Sequence, residues 1–267
     1  MKIDPSTRTL RVQALAIVRD ELLSGRLVPG KRVNEVQMAR EIGISRGTLR
    51  EALRILEQEG MLVSVAHKGT YVRRFTRQEA GDLQEVRLSL EVTAACRVAA
   101  LWTPEIESLL FDRLEVLRRA YVEPLPFPVR LRADLGFHRA VCDSSGNRTL
   151  CGVWYSLIGQ ITVMVLNVGV ERMTRLQDPD QHRPLIDAIA SGDEAGIRET
   201  YRQHFAAGQR VVDAAFADQA RTAADEPLTT NEPGLMSAHE APLVTPQTRE
   251  TRHQHALREL AIDQNSG

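Results

Sequence analysis

The segment EVQMAREIGISRGTLREAL, residues 35–53, decides the fold of the N-terminal part of the chain. Glu35 to Ile42 reads as a short helix, and Gly43-Ile44-Ser45 as a tight turn. A second helix follows from about Arg46 to Glu59, where Gly60 closes it. Ser45 is placed to cap that helix, because its hydroxyl can accept from an N–H left without a partner at a helix start. Leu49, Leu53 and Leu56 form its inward stripe. Two helices joined by so short a turn make a helix-turn-helix, whose second helix fits the major groove of DNA.

On the N-terminal side, Leu10, Ala14, Ile17, Val18 and Leu22 recur at helical spacing up to Gly25, and Pro29-Gly30 marks a turn. On the other side, Leu62 to Val65 and Tyr71-Val72 alternate as short strands around the hairpin tip Ala66-His67-Lys68-Gly69. Three helices and a two-stranded ribbon predict a winged helix-turn-helix over residues 1–75.

Arg46 and Arg50 are four apart and project from one helix face. An arginine fork pairs with guanine O6/N7 or clamps phosphate, and Gly47 and Thr48 add no bulk beside them. The expected DNA contacts are Ser45, Arg46, Thr48 and Arg50 on the helix. His67, Lys68 and Gly69 at the wing tip suit either DNA backbone contact or plain solvent exposure. Charge agrees with this placement. Residues 1–76 carry 14 Lys/Arg against 8 Asp/Glu, whereas residues 77–216 carry 16 against 19 and residues 217–267 carry 4 against 8. The near-neutral whole hides a basic reader on an acidic body.

After a short link at 76–78 the pattern turns helical. Glu79–Trp102 reads as one long amphipathic helix, and Thr103-Pro104 starts another that runs to about Tyr121. Pro124, Pro126 and Pro128 break the chain before helices expected at 129–143, 148–170, 180–190 and 194–216. Residues 79–217 are thus predicted as an all-helical antiparallel bundle, making the protein mainly α. Residues 218–267 are polar, with four prolines between Asp218 and Thr248, and are expected to be disordered. Cys96, Cys142 and Cys151 form no CxxC pair, which argues against a disulfide framework. The N-terminus has no apolar signal core, and the longest apolar run, Ile158 to Val170, is interrupted by Gly159, Gln160 and Asn167. A cytoplasmic protein with no membrane partner is expected.

Asp134 and His138 are four apart on one predicted helix, His182 starts a later helix, and His204 lies within the last. One carboxylate and three imidazoles are a competent ligand set for zinc or another divalent transition metal such as manganese or nickel. A buried polar network without metal is the alternative.

Asn34-Glu35, Ala39, Ile42 to Arg46, Leu49 to Leu53, Leu56-Glu57, Glu59-Gly60 and Gly69 to Val72 together resemble the signature of GntR-type winged-helix regulators. Asp134 to His138, Gln181 to Ile189, Gly192-Asp193 and Tyr201 to His204 resemble the FadR C-terminal, or FCD, effector domain. The resemblance implies that Asp134, His138, His182 and His204 hold a metal in a bundle cavity where a small organic acid is sensed. Arg87 resembles a basic residue common in the family; it either faces the cavity to hold a carboxylate or pairs with Glu91 on the surface. Where many relatives carry arginines, the 148–170 helix has Gln160, Thr162, Val163 and Asn167, which favours a less acidic or partly apolar effector. Gln160 and Asn167 either line the cavity or are core amides.

The expected function is a sequence-specific regulator, in the usual family sense a repressor, binding an operator as a homodimer under control of a small effector, a carboxylate by preference. Two other readings use the same residues: a metal-responsive regulator without organic effector, and a metal-dependent hydrolase fused to a DNA-binding module. No general base or nucleophile stands at recognisable spacing for the latter, so no catalytic residue is predicted.

Overall fold

A computed structural model describes residues 10–123, 125–169, 172 and 178–225. The reader comprises α1 (Leu10–Leu23), α2 (Glu35–Ile42), α3 (Arg46–Gln58), β1 (Leu62–Val65) and β2 (Gly69–Val72). The bundle comprises α4 (Arg77–Ala100), α5 (Pro104–Val122), α6 (Phe127–Ser144), α7 (Arg148–Val168), a 3-10 turn (Pro179–Gln181), α8 (Arg183–Ser191) and α9 (Glu194–Asp225). The expected class, a winged helix-turn-helix followed by a helical domain, is the observed one.

Local chemistry sets the reader's angles. Gly43, at φ 83°, ends α2 with its N–H donating to the Ala39 carbonyl. Two residues on, Ser45 Oγ accepts from Thr48 N at 3.1 Å and opens α3. Leu49, Leu53 and Leu56 of α3 bury against Ile17, Val18 and Leu22 of α1. β1 and β2 pair antiparallel, Leu62 opposite Val72 and Val65 opposite Gly69. The far edge of β2 is also paired: Gly30 N donates to Val72 O at 2.9 Å and Val33 N to Thr70 O at 2.8 Å. This third segment of the wing is too short to show any periodicity in sequence.

The expected link at 76–78 is not a link. Thr76 and Glu79 form a capping box, so Arg77 and Gln78 are the first turn of α4. Reader and bundle share one apolar core that passes through Met61 and Phe75. The last helix also outruns its expected end at 216, continuing to Asp225 through alanine-rich sequence with high helix propensity. The rest of the expected disordered tail, 226–267, lies outside the described residues. Among the described residues α7 alone is long and apolar enough to cross a membrane, contrary to the expectation that no stretch reaches that length. Its Trp154, Ile161, Val163 and Met164 are instead buried in the bundle; of the interruptions that counted against it, Asn167 is buried there too, and Gly159 and Gln160 pack against the end of α3.

Reader and bundle meet where α3 ends on α7. A Cβ at Gly159 would lie 2.4 Å from the Glu59 carbonyl oxygen, and one at Gly60 would lie 2.6 Å from Gln160 Cγ. Arg73 Nη1 donates to Gln160 Oε1 at 3.0 Å, and its Nη2 reaches Glu79 at 3.4 Å. Arg19 pairs with Glu59 beside this seam.

Gly159→Ala is therefore expected to lower stability by about 1–3 kcal/mol through overpacking. Gly152→Ala, on the same helix with nothing within 4 Å of the new Cβ, should be neutral or stabilising by up to ~1 kcal/mol. Denaturant titration of both variants checks the order; equal effects would mean that the seam is not tightly packed.

Candidate functional site

Four elements bring three imidazoles together. His138 comes from α6, His182 from the junction of the 3-10 turn with α8, and His204 from the middle of α9, with α4 closing the cluster from behind. The ring centroids are 4.8–5.3 Å apart, and one ligand atom from each ring lies within 4.8 Å of the others.

The tautomers are fixed from outside the cluster. His138 Nδ1 donates to Glu91 Oε2 at 2.7 Å, His182 Nδ1 to the Asp178 carbonyl at 3.1 Å, and His204 Nδ1 to the Gln181 carbonyl at 3.2 Å. A carboxylate or carbonyl oxygen can only accept, so the proton of His138 and of His204 sits on Nδ1 and their Nε2 atoms carry lone pairs, whereas His182 faces an acceptor with both ring nitrogens, the Asp178 carbonyl at Nδ1 and the Asp134 carboxylate at Nε2. His138 Nε2 and His182 Nε2 are 3.3 Å apart. With a lone pair on His138, that contact is favourable when a proton on His182 Nε2 or a cation lies between the two nitrogens. Asp134, one turn before His138, brings Oδ1 to 3.2 Å from His182 Nε2 and so joins the cluster through that ring.

Charge states fit a cation site. Burial pushes His138 below its ordinary value and His204 down to about 3, reinforced for His204 by the neighbouring imidazoles, so both rings stay neutral at physiological pH. Burial works against the Asp134 carboxylate, but the hydrogen bond from His182 and the nearby imidazoles and Arg87 outweigh it and hold it at about 2. Three imidazoles, two of them held neutral by burial, and an ionised carboxylate suit zinc or a neighbouring divalent transition metal.

Glu91 organises the cluster from its rear. Its side chain, 1% exposed, accepts from Arg87 Nε at 2.7 Å, Trp154 Nε1 at 3.0 Å and His138 Nδ1. Burial raises the Glu91 pKa, yet Arg87 and His138 overcome this and keep it far below the usual carboxylate range. Arg87 thus does pair with Glu91, but in the interior rather than on the surface. Its guanidinium also lines the cavity, stacked over Phe205 at 5.1 Å, and its Nη groups form no hydrogen bond among the described residues.

The cavity itself is small, about 50 Å³, and is bordered by Gln84, Arg87, Asp134, His138 and His204, with Leu131, Ile161, Met164 and Val165 as its apolar wall. Gln160 and Asn167 do not border it. They are seven apart on one side of α7, while Ile161, Met164 and Val165 turn the helix's apolar stripe inward. Gln160 serves the Arg73 seam instead, and Asn167 is a buried amide whose Nδ2 has no partner. Glu91, Trp154 and Gln84 were not singled out for the site. Only the four-residue offset from Arg87 to Glu91 left a trace in sequence, since the carboxylate's other partners lie 47 and 63 residues away.

On the reader, Arg46 is exposed at the first turn of α3, and Thr48 Oγ1 bonds Ser45 Oγ at 2.9 Å. Arg50 is tied to Glu35 at 2.8 Å. His67 and Lys68 are exposed at the wing tip, where His67 takes φ 61°, uncommon for a non-glycine residue. Gly69 takes φ 101°, a backbone conformation that residues with a Cβ rarely adopt, so glycine is needed there. Arg32, exposed beside the wing, adds a cation that helical spacing could not reveal.

Comparison with known proteins agrees in both parts. The family model described as "Bacterial regulatory proteins, gntR family" matches residues 10–72, and that described as "FCD domain" matches residues 82–207. The chain is 30% identical over 207 residues to the "Probable D-xylose utilization operon transcriptional repressor" of Paenarthrobacter nicotinovorans, covering 76% of this chain and 90% of that one. It is 24% identical over 201 residues to the "Gluconate operon transcriptional repressor" of Bacillus licheniformis, covering 73% and 81%. The solved structure of E. coli McbR/YncC superposes with a TM-score of 0.62 at 19% identity, covering 80% of this chain and all of that one. A GntR transcriptional regulator from Rhodococcus sp. RHA1 gives 0.64 at 20% identity, covering 77% and 98%.

Glu91→Gln puts an N–H where either His138 or the Arg87 and Trp154 donors need an acceptor. It is expected to weaken zinc binding about 10–100-fold, the range for lost outer partners of ligating histidines. His138→Ala should lose stoichiometric metal altogether. Competition with a chelating dye measures both, with circular dichroism confirming fold; wild-type affinity in both would remove the metal centre.

Proposed function

The chain belongs to the GntR family of bacterial regulatory proteins and carries an FCD domain, and from that premise we propose a homodimeric repressor whose operator affinity is set by a small organic acid bound at a metal in the bundle cavity. The observation that carries this reading is the meeting of three imidazole ligand atoms with the uncommitted Nη groups of Arg87 in one buried cavity. Such a site offers two positive centres to one carboxylate. Bound there, zinc, or manganese or nickel in its place, would supply the charge that holds the acid. Arg87 would orient the carboxylate with paired N–H donors. The apolar wall of Leu131, Ile161, Met164 and Val165 would exclude water and receive the acid's carbon side.

The route to DNA runs through α7. Its inner side borders the cavity, and its Gly159-Gln160 corner abuts the end of α3 and Arg73. An acid that prefers one placement of α7 would bias the placement of the recognition helix by at most its difference in affinity for the two placements. Arg46, with Arg50 released from Glu35, would read base edges, while His67, Lys68 and Arg32 would hold the backbone. One reader covers a half-site, so a dimer on paired half-sites is required for useful affinity. Repression is the sense supported by the names of the xylose and gluconate relatives, and the acid would relieve it.

Arg46→Ala tests the reading surface. On a duplex selected from a random library by the wild type, the variant should bind about 5–150-fold more weakly at fixed salt, the worth of one bidentate base contact. Metal content and melting temperature should match wild type. Undiminished operator affinity would move base reading away from α3.

A further inference from the structure

Gln84 is the polar side chain of the cavity that the reading above leaves unused. It lies one turn before Arg87 on α4, so both project from the same helix face. The residue is only 8% exposed, its Oε1 has no hydrogen-bond partner, and no bond to its Nε2 forms among the described residues. A buried amide without partners is costly, because each unsatisfied group has given up its water without a replacement. Native interiors keep such a group where something else completes it.

Its position says what kind of group that is. Gln84 and Phe205 border both the small cavity and a larger open groove of about 750 Å³ between α4 and α9. The amide therefore stands at the mouth, one helical turn from the guanidinium that would hold the carboxylate. An ammonium group would suit Oε1 but would sit beside the Arg87 cation. A second carboxylate would suit Nε2 but would oppose Oε1. A hydroxyl both donates and accepts, so it satisfies the amide in either orientation and carries no charge into the site. Resting on the proposed effector site, we infer that Gln84 is the specificity-determining residue of that site and that the effector is a hydroxycarboxylate, its carboxylate toward Arg87 and its hydroxyl bonded to the Gln84 amide. A longer chain would extend past Phe205 into the groove, whose Arg77, Asp82, Glu85, Arg202 and Gln209 form a polar lining suited to further hydroxyls.

The test is calorimetric titration of zinc-loaded full-length protein with four acids of equal carbon count: lactate, propionate, alanine and malonate. Wild type should bind lactate at least about tenfold more tightly than propionate, because a site built for a hydroxyl strongly rejects the analogue lacking it, and should bind alanine and malonate more weakly than lactate. Gln84→Leu should reduce the lactate-to-propionate ratio to about twofold. Gln84→Met, equal in length and flexible, provides the same comparison should the leucine variant lose metal or fold. A ratio that survives in both variants would show the hydroxyl to be read by the metal alone and would overturn the assignment of Gln84. Wild-type preference for alanine or malonate would overturn the hydroxycarboxylate class while sparing the cavity. Failure of all four acids to bind the zinc-loaded protein would overturn the effector site itself, and with it this inference.

Discussion

The buried carboxylate of Glu91 is the constraint on which the effector domain depends. It lies in α4, yet it takes hydrogen bonds from α6 through His138, from α7 through Trp154, and from its own helix through Arg87. A charge at this depth is tolerated only when its attractions exceed the desolvation cost. Three donors meet that condition, and they also fix three helices in rotation. Trp154 is fully buried with its indole N–H committed, so α7 cannot turn without breaking that bond. His138 is held in the single tautomer that points its lone pair at His182 and His204. The interaction that orders the bundle thus also prepares the cluster.

That economy carries through to the reader. Because Thr76 and Glu79 cap α4 directly after the wing, no slack separates the two parts. The glycine contacts at 60 and 159 set the end of α3 on the outside of the helix whose inside borders the cavity. A packed seam of this kind transmits displacement because protein interiors are dense and have few alternative packings. A flexible linker would have left the recognition helix indifferent to the state of the cavity.

How much of this was legible in sequence follows from the range of each interaction. The turn Gly43 to Ser45, the leucine stripe of α3 and the wing strands are local, and they fell where periodicity and capping put them. Asp134, His138, His182 and His204 were legible as residue types and by family resemblance, and the three imidazoles do converge. Arg87 was read with its pairing and its cavity role as alternatives, whereas both hold at once because the pair is interior. Gln160 and Asn167 show the limit. Their polarity drew attention, but helical phase turned the apolar Ile161, Met164 and Val165 toward the cavity instead. Glu91's bonds to His138 and Trp154, and the empty amide of Gln84, depend on how distant helices pack, and no spacing along the chain encodes them.

X-ray absorption at the zinc edge of the zinc-loaded protein would test the central claim most directly, because it reports the ligands themselves. The account predicts a shell of nitrogen and oxygen at about 2.0–2.1 Å, with outer-shell scattering from three imidazole rings. Sulfur at about 2.3 Å, which would place the ion on Cys142 or Cys151, or scattering from fewer than two imidazoles, would contradict it.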